Sequence, residues 1–458
     1  MSSAPDPGPA SDVRMPSAQV AEMAADWGLV DTLLGGTRAM RRAGRRYLPQ
    51  WPAEDDASYQ ARLASATLFP AYARTVSVLA GKPFGKPLTI GEDVPQRLRP
   101  WLEDVDLQGR NLHSFAAEIC VNALSHGLCG ILVDCPPNRG ARSVAEERAA
   151  GIRPYMVHVR PGSILGWRTR AHGAATQLAQ LRLLECVEEE DGPFTAREVE
   201  QVRVLEPGRW AVYRRQVVDG AEAWRIHEEG TTTLPVIPFV PVYGRRRGFM
   251  LGAPPMLELA HANVEHWQNK SDQQTILHVA RVPLLFARGL GDAQITVGAN
   301  SLIQTGSETA ELRYVEHSGA AIEAGRRSLL DLEDRMRQTG AELLVIRPGN
   351  TTEAQTIADN EQGMCDLQRI MQAVEDSLDT ALALMARWVG EKDGGHVSIY
   401  RDFGAATLAE ASASLLFQMQ SAGALSHQTL LGELKRRGIL SPDIEVATEI
   451  ARAQAQAR

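Results

Sequence analysis

Residues 321–344, AIEAGRRSLLDLEDRMRQTGAELL, lead through VIRPGNTTEA (345–354) into a second apolar-periodic run that ends at Gly390, and this stretch decides how the chain is built. In the first segment Ile322, Leu329, Leu332, Met336 and Leu343 recur at spacings of three, four and seven, one stripe of an amphipathic helix. Pro348 and Gly349 stop that helix. Thr352 with Gln355 three residues on forms a capping box for the next. From there Ile357, Met364, Leu367, Ile370, Val374, Leu378, Leu382, Met385 and Val389 keep the helical period. At 1.5 Å per residue such a helix would be a rod roughly 55 Å long. By itself the stretch fits either a spine crossing an elongated subunit or a long core helix in a large enzyme.

The chain has 458 residues, of which 44% are hydrophobic and 23% charged, enough to bury more than one core. A net charge of −8 argues against a free-standing nucleic-acid binder with a basic surface overall. The five cysteines include no CxxC pair and read as reduced thiols. Residues 1–19, rich in Ser, Pro and Ala, read as a disordered leader without the basic and apolar segments of a signal peptide. No 18 apolar residues occur in succession, so no membrane span is expected.

Helical patterns are expected over 20–34, 36–44, 56–79 and 112–126, followed by a buried strand at 130–133. Arg38, Arg41, Arg42, Arg45 and Arg46 form a basic run that reads as an exposed, salt-bridged helix face, with phosphate contact as the alternative. After an insertion at 136–151, strands are expected at 155–159 and 181–187. Further strands at 199–205, 210–217 and 223–226 meet at Glu206-Pro207-Gly208 and Asp219-Gly220 turns, an antiparallel meander. Pro254 and Pro255 open a helix reaching about 280 whose one side carries Asn263, Glu265, Asn269, Lys270, Ser271, Asp272 and Gln273. Short strands are expected within 284–318 and at 396–400, and three helices close the chain over 405–458.

Catalytic patterns are wanting. His261 and His266 in HANVEH are five apart, about 140° around a helix, where a zinc helix needs them four apart on one face. There is no GxxxxGK[ST] loop and no GxSxG elbow. Asp134, after the strand GILV, could hold a metal but has no second carboxylate at a recognisable spacing. No enzyme activity, metal or cofactor is expected.

Several segments in order resemble the portal proteins of tailed bacteriophages. They are RRYLPQWPAEDDASYQARLASATLFPAYARTVSVLAGKPF (45–84), PFVPVYGRRRGFMLGAPPMLELAHANVEHWQNKSDQQTILHVARVPLLFARG (238–289), RMRQTGAELLVIRPGNTTEAQTIADNE (335–361), VSIYRDF (397–403) and GALSHQTLLGELKRRGILSPD (423–443). Each is weak alone, and their order carries the resemblance, which covers about residues 27–450.

The resemblance implies a mixed α+β portal fold, an elongated multi-lobed subunit that assembles as a ring, commonly of twelve. Mapped by position, the wing is 20–250, the stem helices are 255–281 and 321–344, the clip is 282–320 and the tunnel loop is 345–353. The long spine helix with a wing return strand is 354–403, and the helical crown is 404–458. It further implies a channel at one capsid vertex through which double-stranded DNA is packaged and ejected. The implied partners are the terminase large subunit, a head-completion or adaptor protein, and the major capsid and scaffolding proteins. The implied location is the virion, and the host cytoplasm during assembly. Arg347, Asn350, Thr351 and Thr352 are then expected in the tunnel loop near DNA, and Asn263, Asn269, Lys270 and Gln273 on the channel wall. Twelve copies at −8 sum to about −96, a field that keeps DNA from sticking to its conduit. The alternatives are another structural protein of the virion head or neck, or a metal-dependent hydrolase using Asp134 or the His261/His266 region.

Overall fold

The computed structural model describes residues 12–136, 146, 151–173, 175–218, 221–281, 284–288, 311–315, 319–344 and 364–401, with 417–418, 420–421, 423, 426–436, 446, 448–450 and 452. In chain order the elements begin with α1 (Ala18–Leu34), α2 (Gly36–Ala43), α3 (Asp56–Ser65), α4 (Ala71–Gly81), β1 (Thr89–Ile90), α5 (Leu112–His126), β2 (Leu128–Asp134) and β3 (Tyr155–Val159). A run of strands follows: β4 (Ile164–His172), β5 (Ala175–Glu190), β6 (Ala196–Glu206), β7 (Arg209–Val218), β8 (Ala221–Thr231), β9 (Phe239–Tyr243), β10 (Arg245–Gly248) and β11 (Leu251–Ala253). Then come α6 (Leu257–Ala280), β12 (Leu284–Arg288), β13 (Glu311–Val315), α7 (Ala320–Ala341), α8 (Asp366–Trp388), β14 (Val397–Ser398) and α9 (His427–Arg436). The fold is mixed α/β. Two compact units divide it: Met1–Val30, Thr75–Leu257 and Ala341–Arg458 make the first, Asp31–Arg74 and Glu258–Gly340 the second. Residues 31–74, expected in the wing, thus belong to the same unit as the two long helices α6 and α7.

In the first unit β2 is the middle strand of an antiparallel sheet ordered β3-β2-β9. Leu128 to Val133 are all buried, as befits a strand covered on both faces. Leu128 and Leu132 join a core with Val20, Met23 and Trp27 of α1, Ile164, and Leu181 and Leu183 of β5. Cys129, on the alternate face, sits 3.7 Å from the Ile119 carbonyl of α5, and Cys120 of α5 touches Met371 of α8 through sulfur at 3.6 Å. Two glycines make these close approaches possible. A side chain on Gly130 would meet the Phe239 ring at 2.1 Å, and Gly127 ends α5 at φ 80° with the Ala253 backbone 2.0 Å from where a Cβ would stand.

The meander is a five-stranded antiparallel sheet in the order β4-β5-β6-β7-β8, longer than its apolar alternation announced. Beyond Val187 the strands β5 to β7 run on in charged sequence. The ladder is held there by cross-strand pairs such as Glu189 with Arg214 and Arg197. β4 was not expected at all, because ILGWRTRAH lacks a sustained two-residue period and carries register shifts.

α8 buries the stripe read from the sequence: Leu367, Ile370, Val374, Leu378, Leu382 and Met385 are all inaccessible or nearly so. Each such side chain contributes about 1.5–3 kcal/mol. Its length corrects the expected rod. Cys365 is an N-cap in extended conformation, with Gln368 Oε1 accepting from Cys365 N at 2.8 Å in a reciprocal capping box. The 23 described residues span about 35 Å, not 55 Å. The expected capping box at Thr352 and Gln355 lies outside the described residues. Glu375 and Asp379 on α8 hold the backbone N–H groups of Ile399 and Val397 around the return strand β14. In the C-terminal segment, Ser426 caps α9 through Thr429 N at 3.1 Å, as expected, while most of 404–458 lies outside the described residues.

The second unit contains α2, α3, α6, α7 and the hairpin β12–β13. The expected helix over 56–79 is interrupted at 66–70. Pro70 cannot continue α3, and the chain restarts as α4 at Ala71. The basic run before it is mostly solvent-facing. Arg45 pairs with Asp56 at 2.7 Å, and Arg41 donates to the Ala66 carbonyl at 3.0 Å.

Candidate functional site

α6 and α7 run antiparallel within the second unit. Glu265 meets Arg335 at 2.6 Å, His266 meets Glu333 at 3.2 Å and Gln273 meets the Ile322 carbonyl at 2.9 Å, so rising numbers on one helix face falling numbers on the other. Between them in sequence lies the β12–β13 pair, with Leu284 opposite Val315 and Arg288 opposite Glu311. Gly325 leaves room for the Gln273 side chain: a Cβ there would stand 2.0 Å from Gln273 Oε1.

The polar side of α6 is not the water-facing side the sequence implied. Positions 263, 266, 270 and 273 share one helical face, and three of their side chains are buried. Asn263, wholly inaccessible, accepts from Tyr72 N at 2.9 Å and donates to the Phe69 carbonyl at 2.8 Å. It caps α4 from another helix and satisfies the backbone groups that the break at Pro70 leaves over. Gln273 is buried against α7, and Gln268 donates to the Tyr47 carbonyl at 3.0 Å. Asn263 and Gln273 are therefore corrected from channel wall to internal clamp. Asn269 and Lys270 are half-buried. Arg347, Asn350, Thr351 and Thr352, and with them the tunnel loop, lie outside the described residues.

The two histidines of HANVEH separate as their spacing requires. His261 is exposed, whereas His266 is buried beside the Phe69 ring, 5.1 Å between centroids. Burial lowers the His266 pKa, opposed in part by the neighbouring Glu333 carboxylate. In the first unit His158 is lowered in the same way by burial, against the pull of Glu118 at 3.3 Å. Both imidazoles resist protonation in the folded state but take it up near pH 6.5 when unfolded. Stability is therefore full above that value and is lost as pH falls below it toward the folded-state pKa values. The unfolding midpoint, followed by circular dichroism, should drop between pH 7.5 and 5.5, and His266→Gln should show a smaller drop than the parent.

Among the described residues no group of three or more His, Cys, Asp or Glu could hold a metal ion. Asp134 is committed otherwise: Arg203 Nη1 lies 2.7 Å from its Oδ2, with Glu185 3.7 Å from the same guanidinium nitrogen. Tyr155 OH approaches Asp134 at 3.4 Å, and burial pushes that phenol up to about 12. Burial also raises the Cys120 and Cys129 thiols, so neither presents a thiolate near neutral pH. Arg97, Arg203 and Trp388, which line this region, carry no signal in the sequence, because single arginines and tryptophans far apart in the chain show no spacing pattern.

Residues 255–389, which contain α6, the β12–β13 hairpin and α7, match a family described as a domain of unknown function (DUF4055). A search of curated proteins finds no match. Among solved structures, a chain from the neck of an empty gene transfer agent particle computed with C6 symmetry is similar at 12% identity, with a TM-score of 0.42 over 79% of this chain and 88% of that one. A chain from the native gene transfer agent virion aligns at 14% identity and TM-score 0.40, covering 86% of this chain and 97% of that one. One from the native neck computed with C12 symmetry aligns at 13% and 0.41, covering 87% and 98%. All three come from the neck or virion of gene transfer agent particles. No helix among the described residues is long and apolar enough to cross a membrane.

Proposed function

We propose that the chain is the portal subunit of a tailed-phage-like particle, forming a ring at one capsid vertex through which double-stranded DNA is packaged and ejected. The observation that carries this is the antiparallel α6–α7 pair with a two-stranded sheet inserted between its helices. It supports the reading because two stem helices flanking a clip, in that order, are what the ordered motifs call for. Because Asn263 and Gln273 are used internally, the channel wall and the contacts between copies fall to the outer faces. There His261, Arg326, Arg327 and Asp334 are exposed, and Glu265 is tied to Arg335. A mixed-sign, ion-paired surface contacts duplex phosphates weakly and without sequence preference, as a conduit needs. The terminase large subunit and a head-completion protein would dock at the clip, and capsid and scaffolding proteins would surround the wing.

Assembly tests the proposal. Twelve copies of 49.9 kDa give a particle of about 600 kDa, and light scattering with negative-stain imaging should show a ring with a central hole. A monomer at all protein and salt concentrations would refute it. A second reading, another structural protein of the virion head or neck, predicts a virion component without a single-vertex channel ring.

A further inference from the structure

The first compact unit holds a cavity of about 1030 Å³ to which no part of the portal proposal gives a role. Arg97, Trp101, Tyr155, Arg203, Trp210 and Trp388 are among its walls, brought together from the segment before α5, from the two sheets and from the end of α8. Its hydrogen bonding is one-sided. Nε of Arg97, Nε of Arg203 and Nε1 of Trp388 are buried, and none has a partner. Among the described lining residues no buried side-chain acceptor is left over in the same way. Buried donors in native proteins are nearly always met, so three unmet donors around one cavity point to acceptors that enter from outside.

The guanidinium groups cannot simply swing away to water. Arg97 Nη1 donates to the Val389 carbonyl at 3.0 Å, and its head lies 6.0 Å from the Trp101 ring centroid. Arg203 is held by Asp134 at 2.7 Å and lies 5.7 Å from the Trp210 ring. Each arginine thus keeps one edge fixed to the protein while Nε is left over. The charges differ. Asp134 and Glu185 balance Arg203, whereas no carboxylate among the described residues pairs with Arg97. Glu228 and Glu229 also line the cavity, but from exposed positions on β8 where solvent screens them.

We propose that this cavity binds a small organic oxyanion, a carboxylate or a phosphate ester, whose oxygens accept from Arg97 Nε, Arg203 Nε and Trp388 Nε1. Its volume lies just above the range of about 300–1000 Å³ found for small-molecule sites. That is far more than a bare inorganic ion fills, and the tryptophan rings offer apolar surface to a carbon body. The inference is independent of ring formation.

Succinate and glycerol 3-phosphate are the probes, titrated into the full-length protein at ionic strength matched with sodium chloride. Calorimetry and tryptophan fluorescence report the binding. Saturable binding of succinate alone assigns the carboxylate, of glycerol 3-phosphate alone the phosphate ester, and of both the shared oxyanion chemistry. Arg97→Gln should weaken binding at least tenfold and Trp388→Phe several-fold. Arg209→Gln, on the exposed surface of the same sheet, should leave it unchanged. Should Arg97→Gln fail to fold by circular dichroism, Trp388→Phe decides the matter. Heat and fluorescence changes no larger than those of sodium chloride for both probes would mean that water alone fills the cavity and would overturn the proposal. So would parent-like affinity in the folded variants.

Discussion

Asn263→Leu should lower the free energy of unfolding by about 1–3 kcal/mol, measured by urea denaturation. The side chain is wholly buried and meets two backbone groups, the N–H of Tyr72 at 2.9 Å and the carbonyl of Phe69 at 2.8 Å. Leucine fills a similar volume but leaves the buried Tyr72 N–H without its acceptor, at about 1–3 kcal/mol, whereas the Phe69 carbonyl keeps the Ala71 N–H at 2.8 Å. Asn263→Asp should cost at least as much: one carboxylate oxygen still accepts from Tyr72 N, but a buried negative charge then faces the Phe69 carbonyl with no cation beside it. A channel-facing asparagine would behave differently, since exposed substitutions remain within about 0.5 kcal/mol. Near-neutral Asn263→Leu would therefore restore the channel-wall assignment that the contacts contradict.

Glu54→Ala should cost about 3–5 kcal/mol, because it strands a buried cation. Arg62 and Glu54 side chains are each only 4% exposed and form a two-pronged pair, Nε to Oε1 and Nη2 to Oε2, both 2.7 Å. The same guanidinium donates to the Pro49 carbonyl at 2.8 Å and lies 4.3 Å from the Trp51 ring centroid, so it fixes the loop between α2 and α3. Asp272, 3.9 Å away and 47% exposed, is too far and too wet to replace the lost carboxylate. Hydrogen bonding to Arg62 lowers the Glu54 pKa. The pair's contribution is thus present above the ordinary glutamate range and is lost as pH falls through the folded-state value. The double variant Glu54→Leu with Arg62→Met should recover most of the loss, because a well-packed apolar pair needs no compensation. Equal loss in single and double variants would mean that packing, not the charge, is what Glu54 supplies.

Much of the framework was legible locally. The period of Leu332, Met336, Leu343 and of the run from Leu367 to Met385 located both helices, because the buried stripe of a helix is written in its own sequence. Leu112–His126 was read to the residue, since Asn111 caps it and Gly127 ends it. Pro70 carries the signal for the break after α3, and the longer apolar period running across it masks that signal. The strands of the meander were located by their apolar cores and under-read at their ends, where hydrogen bonding continues through charged sequence that alternation cannot show.

The polar face of α6 shows where local reading stops. Asn, His and Gln on one helical stripe look the same in sequence whether they face water or a neighbour's backbone. The sequence by itself determined the helices, the central buried strand, the meander and the motif order behind the portal proposal, all properties of residues close together along the chain. Only the tertiary structure decided that Asn263 and Gln273 face inward, that Arg62 is buried with Glu54, and that Arg97, Arg203 and Trp388 share a cavity. Those facts depend on which distant segment supplies the partner for a polar group, and neither period nor spacing records that.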